Sequence, residues 1–552
     1  MKKQNSLKWL IKNSSSQRLN MVLLILANAF FSLLTVAFAY VIKIVIDGAT
    51  GGNQDYFLYG AIAIVSIIVL QFVFRILING LLEHICGKLE IVYKSKLFAD
   101  ILNKKYKKIT KYHSGDLMNR LTADVSVVAD GMSTILPTVV ASVVRLIGAV
   151  VLLCVIDWVF AIALIVAGLL VFFVIGILRG KLKSLHKKTQ ETDGKTRSFM
   201  QESIENLLAI KVFSVQDKTN VLATDMQNKN FKVKMKRRNY SILGNSTYNF
   251  IFSAGYIFAL IYGGVKLLSG DTLFGYGDLS AILQLVNSVQ VPFASLSSVM
   301  PKYYAMVASA ERLMEIQDIE NDEPVVNVDV GAVYDKINNL TIKGLTFSYD
   351  GKELIYDKAD LVLQKGQSVA IVGASGIGKS TIMKLLLGVY PINDGELYFD
   401  CGDNKMPVCE STRSLFSYVP QGNMLFSGSI KDNITLVRSD ATEEEIDYAL
   451  RISCADEFVY ALPNKLDTLV GENGLGLSEG QVQRLALARA VICKAPIMLL
   501  DEATGSLDEQ TEKKVIENLL SIPNTTVIII SHRQTAINMC QKVVNVVNKK
   551  FN

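Results

Sequence analysis

A chain of 552 residues has room for two or more domains, and half of its residues are hydrophobic, with a mean hydropathy of +0.31. That composition excludes an ordinary soluble enzyme and points to a membrane protein. The net charge of +6 is modest and gives no reason to expect a nucleic-acid partner, while the seven cysteines (86, 154, 401, 409, 454, 493 and 540) form no C-x-x-C pair and no group with the four histidines, which argues against a disulfide framework or a zinc site.

Residues 1–20 are polar and basic, with Lys2, Lys3, Lys8, Lys12 and Arg18, and no cleavable signal peptide is evident. Six apolar runs follow, at 21–46, 57–82, 135–156, 158–178, 246–267 and 279–300. Each is close to the ~20 residues that a helix needs to cross ~30 Å of hydrocarbon. Six crossings put both termini on one side. Lysine and arginine crowd the amino terminus and the connections 83–134 and 179–245, and are absent from the connections 47–56, around Asp157, and 268–278. The positive-inside rule therefore expects cytoplasmic termini and cytoplasmic long connections, in a multi-pass protein of the cell membrane. Leu89, Tyr93, Leu97 and Ile101 recur every four residues, so these connections read as helices that continue the spans. One helix over 57–104 would be ~70 Å long at ~1.5 Å per residue.

Polar groups line some spans. Gln71, Arg75, Asn79 and Glu83 repeat every four residues, as do Asn245, Asn249 and Ser253, and Arg145 lies in the third run. Ionisable groups in hydrocarbon cost roughly 2.5–3.5 kcal/mol on insertion scales, so they face a bundle interior or a water-filled cavity. A substrate path and plain interhelical hydrogen bonding explain these stripes equally well.

Composition shifts after Glu315. The acidic stretch Asp318 to Asp329 reads as part of a linker, giving a membrane domain over 1–317, a linker over 318–335 and a soluble domain over 336–552. In the last of these, strand-like runs at 345–349, 369–372, 497–500 and 526–530 alternate with helical segments, as a mostly parallel sheet covered by helices requires.

Gly373 to Thr381 (GASGIGKST) follows the apolar run 369–372 and opens a helical pattern, the context of a phosphate-binding loop. A backbone that wraps a triphosphate must turn several N–H groups inward, and side chains would obstruct it. Gly373, Gly376 and Gly378 remove them, while Ala374, Ser375 and Ile377 complete the loop. Lys379 supplies a charge for the β- and γ-phosphates, Ser380 a hydroxyl for Mg²⁺, and the helix beginning there the positive end of its dipole. The run Ile497–Leu500 ends in Asp501-Glu502 and resembles a Walker B strand. Asp501 would hold Mg²⁺, and Glu502 would orient or deprotonate the attacking water.

Between these motifs lies LSEGQ, Leu477 to Gln481, opening a helical pattern. The stretch resembles the signature motif of ATP-binding cassette proteins and stands in that family's order. The resemblance implies further roles. Tyr349 matches the aromatic that stacks on adenine, and Gln421 the glutamine that senses Mg²⁺ and the membrane domain. Thr468 to Gly474 is similar to an exporter segment beside the coupling helices. Asp508 matches the D-loop aspartate, and His532 the switch histidine at the γ-phosphate. Ser114 to Val125 and Gln201 to Phe213 resemble the exporters' two intracellular loops. Six spans ahead of one cassette look like a half-transporter: an all-α six-helix transmembrane domain with long cytoplasmic helices, fused to an α/β P-loop NTPase cassette with a helical subdomain.

The resemblance implies ATP and Mg²⁺ as ligands and Glu502, His532, Gln421 and Lys379 as the catalytic set. It also implies a partner chain, in a homodimer rather than a heterodimer, whose ATP would be completed by Ser478, Gly480 and Gln481. The expected function is ATP-driven export of an unidentified substrate through the bilayer. Half of a heterodimeric exporter and an ATP-gated regulator that moves no solute are the alternatives; intact Glu502 and His532 argue against the second. Three departures from the family pattern stand out. Glu479 replaces a glycine of the signature, the D-loop reads Gly505-Ser506-Leu507-Asp508, and the usual glycine turn and terminal helix do not follow the switch histidine before Asn552.

Overall fold

The computed structural model describes residues 2–269, 274–323, 329–422, 425–471, 474 and 476–552. These divide into two units, one of residues 1–99 with 114–316, the other of residues 100–113 with 317–552.

The first unit is built from long helices: α1 (Arg18–Thr50), α2 (Gln54–Leu102), α3 (Val125–Ile156), α4 (Trp158–Glu205), α5 (Gln216–Leu268) and α6 (Tyr276–Gln317). All six apolar runs lie inside them. Among the described residues five are long and apolar enough to cross a membrane, and in α4 the segment Trp158–Leu170 is the apolar part. Pro137, Pro292 and Pro301 sit within helices without ending them, as is tolerated where neighbouring helices re-satisfy the backbone. Helix α2, with 49 residues, is one continuous element ~73 Å long. The connection beyond it is not one helix. It breaks after Leu102 into short helices at Tyr106–Ile109 and Ser114–Asn119, then a wider turn at Arg120–Asp124 that leads into α3.

Large apolar side chains such as Ile62, Phe72, Ile165 and Leu169 are exposed, the surface expected of helices that face lipid. The helices are fastened to one another by polar groups near their ends. At one end Lys266 pairs with Asp157 at 2.7 Å, Lys43 pairs with Asp278, and Asp47 accepts the backbone N–H of Gly277 at 2.9 Å. Towards the other, buried Asp124 accepts Arg312 Nε at 2.7 Å and Ser309 at 2.8 Å, while Arg120 reaches Glu315 at 3.1 Å.

The second unit holds a six-stranded sheet in the order Lys550–Phe551, Lys542–Val547, Ser368–Val372, Thr526–Ile530, Ile497–Asp501, Phe416–Val419. All its pairings are parallel except that of the outermost strand. Every residue of Ile497–Asp501 and Thr526–Ile530 is buried, which explains their continuous apolar runs. An antiparallel sheet joins Tyr356–Gln364, Asn339–Phe347, Asp394–Cys401 and Asn404–Pro407. A second core gathers the helices Glu443–Ile452 and Glu479–Ile492 against the parallel sheet. Residues 330–335, within the stretch that composition assigns to the linker, form a short helix whose buried Tyr334 hydroxyl bonds to Thr526 at 2.7 Å.

Asp124→Ala is expected to lower the thermal unfolding midpoint in a fixed detergent, reflecting a loss of about 2 kcal/mol, below the usual cost of breaking a buried pair because Arg312 stays half exposed. Lys302→Ala, which removes an exposed pair with Asp130, should shift the midpoint little.

Candidate functional site

Strand register builds the site. Ile530 pairs with Asp501 and with Ile371, and Val419 pairs with Leu500. The residues that follow these strands, Gly373, Glu502, His532 and Gln421, therefore emerge at one edge, the edge where parallel α/β sheets bind ligands.

The strand Ser368–Val372 turns through the glycine loop into the helix Lys379–Leu386. Gly376 has φ +79° and Gly378 φ +111°. A side chain at either would be strained, and a Cβ on Gly378 would also collide with Ile355. The buried Lys379 ammonium crosses the loop to donate to the carbonyls of Gly373 at 2.9 Å and Ala374 at 3.0 Å. Ser380 Oγ donates to Asp501 Oδ1 at 3.0 Å, and Tyr418 to the other carboxylate oxygen at 3.4 Å. Burial pushes the Asp501 carboxyl up, opposed by the Ser380 hydrogen bond and reinforced by the neighbouring Glu502 charge. A hydroxyl and a buried carboxylate side by side form a hard-oxygen donor set of the type that suits Mg²⁺.

Glu502 is the meeting point of the next shell. Gln421 Nε2 donates to its Oε2 at 2.7 Å, and His532 Nε2 lies 3.3 Å from its Oε1. Its backbone is held at φ +51°, uncommon for a residue with a side chain, and its N–H bonds to Ile530 O at 3.0 Å. Gln421 and His532, from two strand ends, thus meet at the carboxylate of Glu502 on a third.

Tyr349 stands two residues beyond the strand Asn339–Phe347, rather than within it as the apolar run 345–349 implies. The cause is local: Ser348 N bonds to Asn393 and Ser348 Oγ to Asp350, turning the chain. Tyr349 is part-exposed, its hydroxyl 3.2 Å from Thr381 Oγ1 and its ring edge-on to Tyr390 at 5.0 Å. Tyr390 in turn meets Tyr106, from the segment between α2 and α3, at 6.0 Å.

Ser478, Gly480 and Gln481 are not brought to the phosphate loop of their own chain by any hydrogen bond among the described residues. Ser478 and Gln481 instead cap the helix Glu479–Ile492 reciprocally, side chain to backbone. Gly480 lies against the D-loop, where an added Cβ would come 3.0 Å from Ser506 O. Asp508 caps the next helix through Thr511 N. Of Thr468 to Gly474, Leu469–Val470 pairs with Gly428–Ser429, while Glu472 and Asn473 lie outside the described residues.

Sequence reading passes over Arg533 and Glu512. The Arg533 guanidinium donates to the carbonyls of Gly505 and Leu507, both at 2.6 Å, and reaches the fully buried Glu512 at 3.3 Å, which also accepts from Thr504 at 2.7 Å. Gln483 holds Ser506 from the signature helix at 3.0 Å. One hydrogen-bonded set thus ties the switch-histidine loop, the D-loop and the signature helix. The only sequence signal was an acidic residue on the apolar face of a helix.

Comparison with known proteins decides what this arrangement belongs to. A sequence model of the ABC transporter transmembrane region matches residues 21–293, and a model of the ABC transporter cassette matches residues 356–505. The chain belongs to the ABC transporter family. It has the exporter order of this family of ATP-driven transporters and ATP hydrolases, one membrane region followed by one cassette. It is 29% identical over 550 residues to ABC transporter B family member 1 of Dictyostelium discoideum, covering 97% of this chain and 59% of that longer one. To the ATP-dependent lipid A-core flippase of Salmonella typhimurium it is 27% identical, over 90% of this chain and 85% of the flippase. The structure of a bacterial Atm1-family ABC exporter with ATP bound superposes with a TM-score of 0.81, at 23% identity, covering 97% of this chain and 95% of that one. That likeness shows the fold, a helical transmembrane domain followed by an α/β nucleotide-binding domain.

Gly378→Ala tests the loop directly. The collision with Ile355 and the left-handed backbone predict at least a tenfold loss of ATP affinity, read by equilibrium nucleotide binding; unchanged affinity would show that this turn need not hold its shape.

Proposed function

We propose that this chain is one half of an ATP-driven exporter, working with a second copy of itself, and that Glu502 is its hydrolytic base. The contact of Gln421 and His532 with the two oxygens of Glu502 is the observation that carries the reading. A carboxylate held by one neutral donor and one imidazole is oriented without being buried in an ion pair, which suits a group that must align and deprotonate water.

In this account the loop Gly373–Thr381 receives the triphosphate on its backbone N–H groups and the amino terminus of its helix. Lys379, already stretched across the loop, pairs with the β- and γ-phosphates, and Tyr349 presents its ring to the base. Ser380, Asp501 and the side-chain oxygen of Gln421 are the residues that would hold Mg²⁺, whose charge would offset that of the phosphates. His532 contacts the γ-phosphate while keeping Glu502 in place. The signature residues Ser478, Gly480 and Gln481 serve the partner's nucleotide, as their resemblance to the signature motif implies. The cassettes and both termini lie in the cytoplasm of a cell whose membrane the helices cross, supported by the placement of lysine and arginine on the long connections.

Two variants separate binding from chemistry. Glu502→Gln should keep ATP affinity within about threefold and lose a hundredfold or more in turnover, since general-base catalysis contributes about 10²–10⁴. Turnover near the wild-type rate would remove Glu502 from the role. Lys379→Ala should lose nucleotide binding itself, and saturation of this variant at wild-type ATP concentrations would overturn the phosphate-loop assignment.

A further inference from the structure

Tyr356 opens the strand Tyr356–Gln364 and is fully buried, so its hydroxyl must find a partner inside the protein. The partner is the phosphate loop. Tyr356 Oη donates to the carbonyl of Gly378 at 2.9 Å. Gly378 is held in the left-handed region at φ +111°, and the same carbonyl accepts Thr381 N at 2.8 Å.

The bond sets the direction of one peptide. In a trans peptide the carbonyl and the N–H that follows it point opposite ways. Anchoring Gly378 O on a buried hydroxyl therefore aims the N–H of Lys379 away from the core. Lys379 begins the helix Lys379–Leu386, and the first N–H groups of a helix have no intrahelical partner and suit an anion. The loop has one other internal hold, the reach of Lys379 Nζ to the carbonyls of Gly373 and Ala374. A nucleotide affects the two holds differently. An ammonium that pairs with the β- and γ-phosphates gives up those carbonyls, whereas the buried Tyr356 hydroxyl keeps its own.

Tyr356 is itself held from the outer edge of the parallel sheet. Its ring stacks on Phe551 with centroids 5.0 Å apart and planes at 29°, and the neighbouring Asp357 N bonds to Lys549 O at 3.1 Å. Phe551 pairs with Val546 across the hairpin formed by Lys542–Val547 and Lys550–Phe551. Val546 in turn lies against the start of the loop, where a Cβ on Gly373 would come within 2.9 Å of its carbonyl oxygen. One hairpin thus backs the loop at both ends, by close backbone approach at Gly373 and by a stacked, hydroxyl-bearing ring at Gly378.

We infer that Tyr356 is a positioning residue for nucleotide binding, fixing the Gly378–Lys379 peptide in its phosphate-binding direction, and that Phe551 acts through it by fixing the plane of its ring. The inference rests on the phosphate-loop reading and deepens it: the loop is preorganised from behind, by side chains that touch no phosphate.

The test reads equilibrium binding of radiolabelled ATP to the full-length chain in lipid nanodiscs, in EDTA without Mg²⁺, so that no turnover intervenes. Tyr356→Phe removes one oxygen and keeps the ring; it should bind ATP about fivefold more weakly, the scale of one buried hydrogen bond. Its unfolding midpoint without nucleotide should stay within about 2 °C of wild type, since Thr381 N still satisfies the carbonyl. With Mg²⁺ restored, the loss should appear as a raised KM for ATP; a cassette that is merely destabilised would lose kcat through loss of active protein instead. Phe551→Ala should weaken ATP about threefold beside Tyr356 and cause no further loss in the Tyr356→Phe background, and Phe551→Tyr, which keeps the stack, should recover most of that affinity. ATP affinity of Tyr356→Phe equal to wild type overturns the inference, and equal losses from Phe551→Ala in both backgrounds overturn the part given to Phe551. Where Phe551→Ala does not fold, Phe551→Leu keeps apolar volume without the stack and carries the same comparison. Lys379→Ala in the same assay keeps the two readings apart: undiminished ATP binding by that variant sinks the phosphate loop itself, whereas its loss beside an unaffected Tyr356→Phe sinks this inference alone.

Discussion

Because Ser368–Val372, Thr526–Ile530, Ile497–Asp501 and Phe416–Val419 pair in parallel and in register, their carboxyl ends fall at a single edge, and everything chemical in the cassette follows from that alignment. A one-residue slip of Ile497–Asp501 would turn Asp501 from Ser380 and take Glu502 from Gln421 and His532. Register is protected by burial. The strand Ile497–Asp501 is covered on both faces, so a slip would exchange well-packed apolar contacts for a displaced carboxylate. The chain places its glycines, its acids and its histidine just past the strands, where backbone freedom is available and the apolar core is not disturbed.

In the membrane unit the constraint is charge rather than register. Hydrocarbon tolerates little that is polar, and among the described residues the ion pairs of this unit lie at or beyond the ends of the apolar runs. Asp157, Asp278, Asp124 and Arg120 fix how the helices meet. Arg75 and Arg145, inside the apolar runs of α2 and α3, stand apart from that scheme. Helix α2 runs on without a break to Leu102, its last residues from Asp100 belonging to the second unit. There Lys104 donates to the carbonyls of Gln317 and Ile319 at 2.8 and 2.7 Å. Arg413 pairs with Asp322 at 2.7 Å while donating to Leu387 O, just past the phosphate-loop helix. The short helix Tyr106–Ile109 is therefore anchored within the unit that holds the nucleotide site.

Much of this was legible in the sequence, for physical reasons that differ between regions. Buried parallel strands and membrane helices both write themselves as unbroken apolar runs, so the spans and the sheet core could be read directly. Glycine at positive φ and acids after an apolar strand are equally explicit. The break after Leu102 was not legible, because Leu89, Tyr93, Leu97 and Ile101 set a helical rhythm that the next residues do not contradict; the stop comes from the bridge of Lys104 to Asn321, far away in sequence. Tyr349 was assigned to a strand that ends two residues earlier, since apolar character outlasts the ladder. Arg533 and Glu512 were invisible because their meaning lies in a contact between a loop and a helix 21 residues apart.

The central claim is that one chain's phosphate loop is completed by another chain's signature helix. The most direct test is ATP turnover by the purified chain in lipid, with the oligomeric mass recorded on the same fractions. Turnover confined to the two-chain species is the predicted result. Equal turnover per chain in a single-chain species would contradict the account, because a lone chain has no second signature helix to set against its phosphate loop.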